Sequence, residues 1–207
     1  MNKKPYIIGI CGGSASGKTF FLEQLRSRLP EDRLTFISQD NYYKKKEEQT
    51  RDEEGLINFD HPDSVKLNEL EQDLERLLKG ETLQREEYTF NNPNWKPKLL
   101  TYTPTDIIIL EGLFIFWQEN LAKLIDLKVF VDADENVRLS RRIRRDLHER
   151  GYPVEEVLRD YSKFVAPMYR KFVEPTKRRA DIIVQNNHHI YKAIDVLMNH
   201  LKAVLDR

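Results

Sequence analysis

An eight-residue run near the start of the chain, Gly12-Gly13-Ser14-Ala15-Ser16-Gly17-Lys18-Thr19, matches the phosphate-binding pattern G-x-x-x-x-G-K-[ST]. No other stretch restricts the fold as much. Glycines allow the backbone to turn so tightly that several N–H groups converge on one phosphate, while the lysine and the hydroxyl reach the outer phosphates and Mg²⁺. The pattern functions between a strand and a helix, and its flanks supply both. Tyr6-Ile7-Ile8-Gly9-Ile10 is a short apolar segment of the kind buried in a parallel sheet. Phe20, Phe21, Leu25 and Leu29 then recur at helical spacing up to Pro30, so Lys18 and Thr19 open a helix whose N-terminal dipole favours anions. The sequence therefore predicts a nucleotide-phosphate site built by Gly12, Gly13, Ser14, Ala15, Ser16, Gly17, Lys18 and Thr19.

At 207 residues the chain suffices for one sizeable core, and a single domain over residues 1–207 is expected. Lysine plus arginine and aspartate plus glutamate both number 34, so net charge suggests neither a nucleic-acid nor an anionic-membrane partner. The single cysteine, Cys11, cannot form an internal disulfide and stands where strand meets loop, which predicts a packing role in a reducing compartment. No apolar run approaches the ~20 residues that span a bilayer, and Met1-Asn2-Lys3-Lys4 leads into a strand rather than a signal peptide, so a cytoplasmic location is expected.

Further strands are predicted at 33–39, ending at Ser38-Gln39-Asp40; at Asp106-Ile107-Ile108-Ile109-Leu110, ending at Glu111-Gly112; at Leu127–Val131; and at Asp181–Val184. Two short strands, 82–90 and 98–102, flank the turn Asn91-Asn92-Pro93-Asn94-Trp95-Lys96-Pro97 and predict a β-hairpin insertion. Ser64 is a candidate N-cap for a helix carrying Leu67, Leu70, Leu74, Leu77 and Leu78 up to Gly80. Helices are also expected at 135–149, 154–172 and 191–205, whereas the charged stretch 41–58 reads as a mobile loop. Strands alternating with helices imply right-handed crossovers and a parallel α/β sheet covered on both faces.

In such sheets ligands bind beyond the carboxyl ends of the strands, so the phosphate loop, Asp40 and Glu111 should converge. Glu111, with Thr19, stands where a phosphate-loop enzyme places its Mg²⁺-side oxygens. Asp40 is the candidate to take the proton of an attacking hydroxyl. At about 100° per residue, Arg138, Arg142 and Arg145 fall in one stripe, with Leu139, Ile143 and Leu147 roughly opposite. This predicts an apolar stripe that docks and an arginine-rich lid, residues 138–155, that closes over nucleotide phosphates and hinges at Gly151. His61, within Asn58-Phe59-Asp60-His61-Pro62-Asp63, reads as a structural histidine.

Taken together, these motifs resemble the uridine kinase (uridine-cytidine kinase) family of P-loop kinases, from about Tyr6 to the last helix. The resemblance is carried by the phosphate loop, Ser38-Gln39-Asp40 with Tyr42-Tyr43, Asn58 to Asp63, Glu111-Gly112, Arg138 to Asp146 and Pro175-Thr176-Lys177. It implies a P-loop NTPase-type sheet, a hairpin over the nucleoside site, and phosphorylation of the 5′-hydroxyl of uridine or cytidine by ATP or GTP with Mg²⁺, in pyrimidine salvage. By the same resemblance Asp40 would be the base, with Lys18, Arg142 and Arg145 assisting catalysis. Asp60 would bind the ribose hydroxyls, Tyr43, Phe59, Tyr88 and Phe90 would line the nucleoside pocket, and Thr19 and Glu111 would serve Mg²⁺. Members of the family are commonly tetramers. The chain departs from the family pattern at Thr89, at Pro93 in place of a base-reading histidine, and at Tyr152 and Asp160, where an arginine and a glutamine are expected. Proline cannot donate the histidine's hydrogen bond, which leaves the base to be read by Asn91, Asn92 or Trp95, or leaves the acceptor shifted. Two other readings stay open: a phosphoribulokinase-like or pantothenate-kinase-like enzyme, and a nucleotide-dependent switch, although no Asn-Lys-x-Asp guanine-reading motif is present.

Overall fold

The structure, a computed structural model, describes residues 4–90 and 95–206. Its centre is a five-stranded, all-parallel sheet of β1 (Tyr6–Cys11), β2 (Leu34–Ser38), β5 (Ile107–Gly112), β6 (Leu127–Asp132) and β7 (Ile182–Gln185). These strands lie in the order β2-β5-β1-β6-β7, with the antiparallel pair β3 (Leu83–Glu86) and β4 (Leu99–Tyr102) as a separate ribbon. The central strands are apolar almost throughout because both faces are covered. Ile8, Ile10, Ile107, Ile109, Val129 and Val131 pack beneath α1 (Lys18–Arg26) and α7 (Tyr191–Leu205), against Phe21, Leu25, Ile194, Leu197 and Leu201. The alternate residues Ile7, Ile108, Leu110 and Phe130 face α2 (Leu67–Leu78) and the core residues Phe114 and Phe172.

The remaining helices are α3 (Glu119–Leu124), α4 (Glu135–Glu149) and a long rod that begins with α5 (Val154–Asp160). That rod is not regular α-helix as its periodicity suggests. Two wide π-type stretches, Tyr161–Val165 and Tyr169–Val173, enclose a short α6 (Ala166–Met168), and a tight 3-10 stretch runs on to Arg179. Such widenings shift which side chains face inward and are common beside functional sites. Here they bury Tyr161, Phe164, Val165, Tyr169, Phe172 and Val173. No helix of the described residues is long and apolar enough to cross a membrane.

Several local expectations are corrected. Ser64 does not cap α2; its hydroxyl donates to the carbonyls of Phe59 (2.9 Å) and His61 (2.6 Å), and α2 starts after Lys66. The first hairpin strand ends at Glu86 rather than Phe90: Tyr88 N donates to Asn41 Oδ1 (3.1 Å), and Phe90 takes a left-handed backbone (φ 52°) that a strand does not accommodate. The charged stretch 41–58 is a built loop rather than an untethered one. Lys44 N donates to Ser64 O, Gln49 Nε2 to the carbonyls of Lys44 and Ser64, and Lys163 binds Asp52 (2.8 Å) and Glu54 (2.7 Å). Polar side chains anchor most of this loop, and Tyr42 near its start is buried in the core, donating to Asp73 of α2 (3.0 Å), which the charged composition conceals. α3, which sequence reading did not single out, is only six residues long and contributes Leu121 and Ala122 to the interior.

Candidate active site

Strand register assembles the site. Cys11 at the end of β1 lies beside Gly112, Ile10 beside Glu111, and Ser38 at the end of β2 also beside Glu111. The loop that follows β1, the carboxylate of Glu111 and the Asp40 turn therefore share one edge of the sheet, as sheet topology requires.

The loop Gly12–Thr19 forms a cradle that side chains would fill. A Cβ on Gly12 (φ 155°) would lie 2.2 Å from the Val131 carbonyl, and one on Gly17 (φ 100°) would lie 2.1 Å from Asn186 Nδ2. Asn186 is buried and donates to Ser16 O (2.7 Å), which ties the segment after β7 to the loop. Ser16 Oγ is buried with no hydrogen-bond partner among the described residues, as expected of a group shaped for a ligand. Lys18 Nζ donates to the carbonyls of Gly12 (2.9 Å) and Gly13 (3.1 Å), so its charge already sits inside the cradle. Thr19 is exposed in the first turn of α1. Cys11 is fully buried, bonds the Leu113 carbonyl (3.2 Å), and has its thiol pushed up to about 11 by burial, which makes it unreactive packing.

Asp40 sits half-buried in the tight turn Gln39–Tyr42. Ser38 Oγ joins the two acids, accepting from Asp40 N (3.2 Å) and donating to Glu111 Oε1 (2.5 Å). Gln39 is wholly buried, accepts from Phe114 N (2.7 Å), and occupies the space a Cβ on Gly112 would need. Burial raises the Asp40 carboxyl above its ordinary range against the opposing charges of Lys18, Arg150 and Arg145. Burial, then the neighbouring Asp40, pushes Glu111 up to about 7. Asp60 is raised for the same first reason, with Arg142 and Arg145 opposing.

This crowding has a measurable sign. An unfolded Glu111 ionises near 4.5 and the folded one at about 7, so between those values the folded chain binds more protons. Ligand-free stability should fall as pH rises through that window. A melting-temperature series from pH 5.5 to 8 should show the fall, and Glu111→Gln, which also relieves Asp40 of a like charge, should flatten it. An unchanged slope in the variant would assign the effect elsewhere.

Beside the carboxylates stands an aromatic wall. The ring of Tyr43 lies 6.2 Å from Phe59, 5.3 Å from Tyr88 and 6.1 Å from Phe90, and Tyr88 lies 5.2 Å from Phe90. All four aromatic residues singled out from the sequence thus meet across three segments. Asn41 fixes the hairpin to the Asp40 turn: its Oδ1 accepts from Tyr88 N (3.1 Å) and its Nδ2 donates to Tyr102 Oη (3.2 Å). Burial and the charges of Asp40 and Asp60 raise the Tyr43 phenol well above its usual range, so it stays neutral. Trp95 is 54% exposed and bonds Glu87 (3.3 Å), while Asn91, Asn92 and Pro93 lie outside the described residues.

The arginine face of α4 turns inward, which corrects the expected docking of its apolar stripe. Arg138 and Asp146 are the buried residues of this helix, whereas Leu147 is 41% exposed, Ile143 is half-buried, and Leu139 packs on Tyr161, Val165 and Ala166. The reason is that the arginines find partners. Arg138 stacks on the Tyr169 ring (3.7 Å) and donates to Ala133 O (3.0 Å); Arg141 reaches Ser16 O at 3.5 Å. Arg142 donates to Ser14 Oγ (3.0 Å) and approaches Asp60 at 4.0 Å, joining phosphate loop to acceptor side. Arg145 pairs with Asp146 (2.9 Å), and Arg150 lies 5.0 Å over the Phe90 ring. Tyr152 is exposed, with only its amide bonded to Asp146 O, and Asp160 pairs with its neighbour Arg159, so neither side chain joins this cluster. His61 is structural, accepting from Asp63 N (3.1 Å) and standing edge-on to Phe172.

Asn41, Asp146, Arg150 and Asn186 are site residues that sequence reasoning missed. A signal existed for two of them: Asp146 lies four residues after Arg142 and four before Arg150, the spacing of helical ion pairs. Among the described residues no group of three or more His, Cys, Asp or Glu side chains is arranged to hold a metal. Thr19 and Glu111 offer the hard oxygens that suit Mg²⁺, too few to cage it, which fits an ion carried in on a nucleotide's phosphates.

The family model described as "Phosphoribulokinase / Uridine kinase family" matches residues 7–190. The uridine kinase of Leuconostoc citreum is 42% identical over 207 residues, covering 99% of each chain. That of Brevibacillus brevis is 39% identical over 201 residues, covering 97% of this chain and 94% of its own. A solved structure titled as a possible uridine kinase from Bacillus stearothermophilus superposes with a TM-score of 0.63 over 88% of this chain and 90% of that one; at 18% identity it speaks for the fold alone. With phosphate loop, strand-tip acids and inward arginines in place, and with relatives this similar along their whole length, the chain belongs to the phosphoribulokinase/uridine kinase family.

Proposed function

We propose that this chain is a nucleoside kinase that transfers the γ-phosphate of ATP or GTP to the 5′-hydroxyl of uridine or cytidine, giving UMP or CMP for pyrimidine salvage. The observation that carries the reading is the aromatic wall of Tyr43, Phe59, Tyr88 and Phe90 set beside Asp40 and Asp60 at the mouth of a phosphate loop. A planar base stacks on such a wall, and Asp60 accepts hydrogen bonds from ribose hydroxyls. Asp40 takes the proton as the 5′-oxygen attacks γ-phosphorus and the bridging oxygen to the β-phosphate departs. Lys18, Arg142 and Arg145 face the negative charge of the transferring group, and the loop's amides hold the remaining phosphates. Thr19 and Glu111 would hold Mg²⁺, which would supply neutralisation of the nucleotide's phosphate charge. The whole of residues 1–207 acts as one kinase domain, with the hairpin covering the acceptor and residues 138–155 as its lid.

A panel of hydroxyl acceptors incubated with ATP or GTP tests this. Uridine and cytidine should be phosphorylated with release of nucleoside diphosphate, well above ribulose 5-phosphate or pantothenate. Turnover of another metabolite, with none of either pyrimidine nucleoside, would overturn the acceptor assignment and leave the family untouched.

A further inference from the structure

The carboxylate of Asp146 has no role in the scheme above, yet three of the lid's cations converge on it. It is 2% exposed and pairs with Arg142 Nε (3.2 Å), Arg145 Nε (2.9 Å) and Arg150 Nη1 (3.4 Å). Arg142 and Arg150 lie one helical turn before and after it, and Arg145 is adjacent. Its backbone carbonyl is also engaged, accepting from Tyr152 N (3.0 Å), so the residue is held at both ends. The three arginines serve different parts of the site. Arg142 touches Ser14 and approaches Asp60, Arg150 covers Phe90, and the charges of Arg145 and Arg150 both bear on Asp40.

Three guanidiniums crowded together repel and would splay towards solvent unless an anion stands among them. One carboxylate shared by three leaves about two net positive charges, directed towards phosphate. Arg142 Nε lies within ion-pair distance of Asp146 but is not aligned for a hydrogen bond. The pairing is thus chiefly Coulombic, while the same guanidinium donates through Nη1 to Ser14 of the phosphate loop.

We propose that Asp146 is a positioning residue, the buried counter-ion that pre-assembles Arg142, Arg145 and Arg150 before the nucleotide arrives, so that the lid's charge is in place when the phosphoryl group moves. The proposal rests on the kinase reading above. Asp146 itself touches no substrate; it acts through the arginines.

The test compares wild type, Asp146→Asn and Asp146→Glu by calorimetric titration with ATP and by turnover of whichever acceptor the wild type phosphorylates. For Asp146→Asn we expect one ATP bound per chain, with affinity within about threefold of wild type because the lid gains a net positive charge, and kcat lower by about 10²-fold, the scale of an ångström-sized misplacement. Asp146→Glu keeps the charge and moves it by one methylene. It should bind ATP at full stoichiometry with kcat reduced about tenfold, and it carries the test if the Asn variant does not fold. Wild-type kcat in either folded variant would overturn the proposal. So would a kcat that falls in step with ATP stoichiometry, since that marks lost folded protein rather than misplaced arginines. A wild type that turns over neither uridine nor cytidine sinks the acceptor assignment instead and leaves this comparison intact.

Discussion

Asp40→Asn is expected to lower kcat by about 10² to 10⁴-fold, the range for a lost general base, while leaving ATP binding within about threefold. The asymmetry follows from where the carboxylate stands. Asp40 is held by the Gln39–Tyr42 turn on the acceptor side and is not part of the loop that grips phosphate. Its charge opposes that of an incoming phosphate, so removing it cannot weaken ATP binding electrostatically. Burial raises the Asp40 carboxyl, and Asp60 adds to the rise, so the acid limb of kcat/KM should lie above the ordinary aspartate range and should vanish in the Asn variant. Single-turnover kinetics beside a titration with ATP separates the two quantities. Turnover close to wild type would remove Asp40 from the base role.

Lys18→Ala should damage both binding and chemistry, with ATP affinity down about tenfold and kcat down at least about 10²-fold. Lys18 projects its ammonium into the cradle against two loop carbonyls, so the same charge meets the phosphates in the ground state and in the transition state. Removing it also leaves the carbonyls of Gly12 and Gly13 without that donor, in a loop whose conformation only glycine tolerates at Gly12 and Gly17. Circular dichroism and the melting temperature should stay near wild type, because the fold rests on the two apolar layers rather than on this contact. An active Lys18→Ala enzyme would move the phosphate site away from this loop.

The two variants together locate the boundary between the halves of the site. Asp40→Asn should spare donor binding and Lys18→Ala should not. A finding that both lose ATP equally would mean that the acceptor turn and the phosphate loop act as one unit, coupled through Ser38 and Glu111.

Much of this molecule was legible in its sequence. The buried strands declare themselves because parallel strands covered on both faces need continuous apolar runs, and Ile107–Leu110 and Val129–Val131 are such runs. α7 matched its expected bounds because Ile194, Leu197, Met198, Leu201, Val204 and Leu205 mark a single inward face. The phosphate loop was readable because its chemistry lies within eight consecutive residues. The hairpin aromatics and Asp60 were placed by family resemblance; the structure brings the aromatics to one wall with Tyr43 and sets Asp60 4.0 Å from Arg142.

What could not be read was what depends on partners distant in the chain. The stripe Leu139-Ile143-Leu147 suggested a docking face, but a helix orients by all its partners, and Tyr169, Ser14 and Ala133 outcompeted three modest apolar contacts for the arginine side. The loop 41–58 looked unanchored because its tethers, Ser64 and Lys163, belong to other elements. The rod from Val154 kept a helical pattern in sequence, although its π-type turns change the inward face partway along.

By itself the sequence determined the strand–loop–helix unit that binds phosphate, the parallel sheet and the acids at its strand tips, because each follows from short-range periodicity and spacing. Only the tertiary structure decided which way the arginines of α4 face, how Asn41 joins the hairpin to the Asp40 turn, and that one carboxylate, Asp146, gathers three guanidiniums. Those outcomes depend on strand register and on charges brought together from remote positions, and neither is written in local sequence.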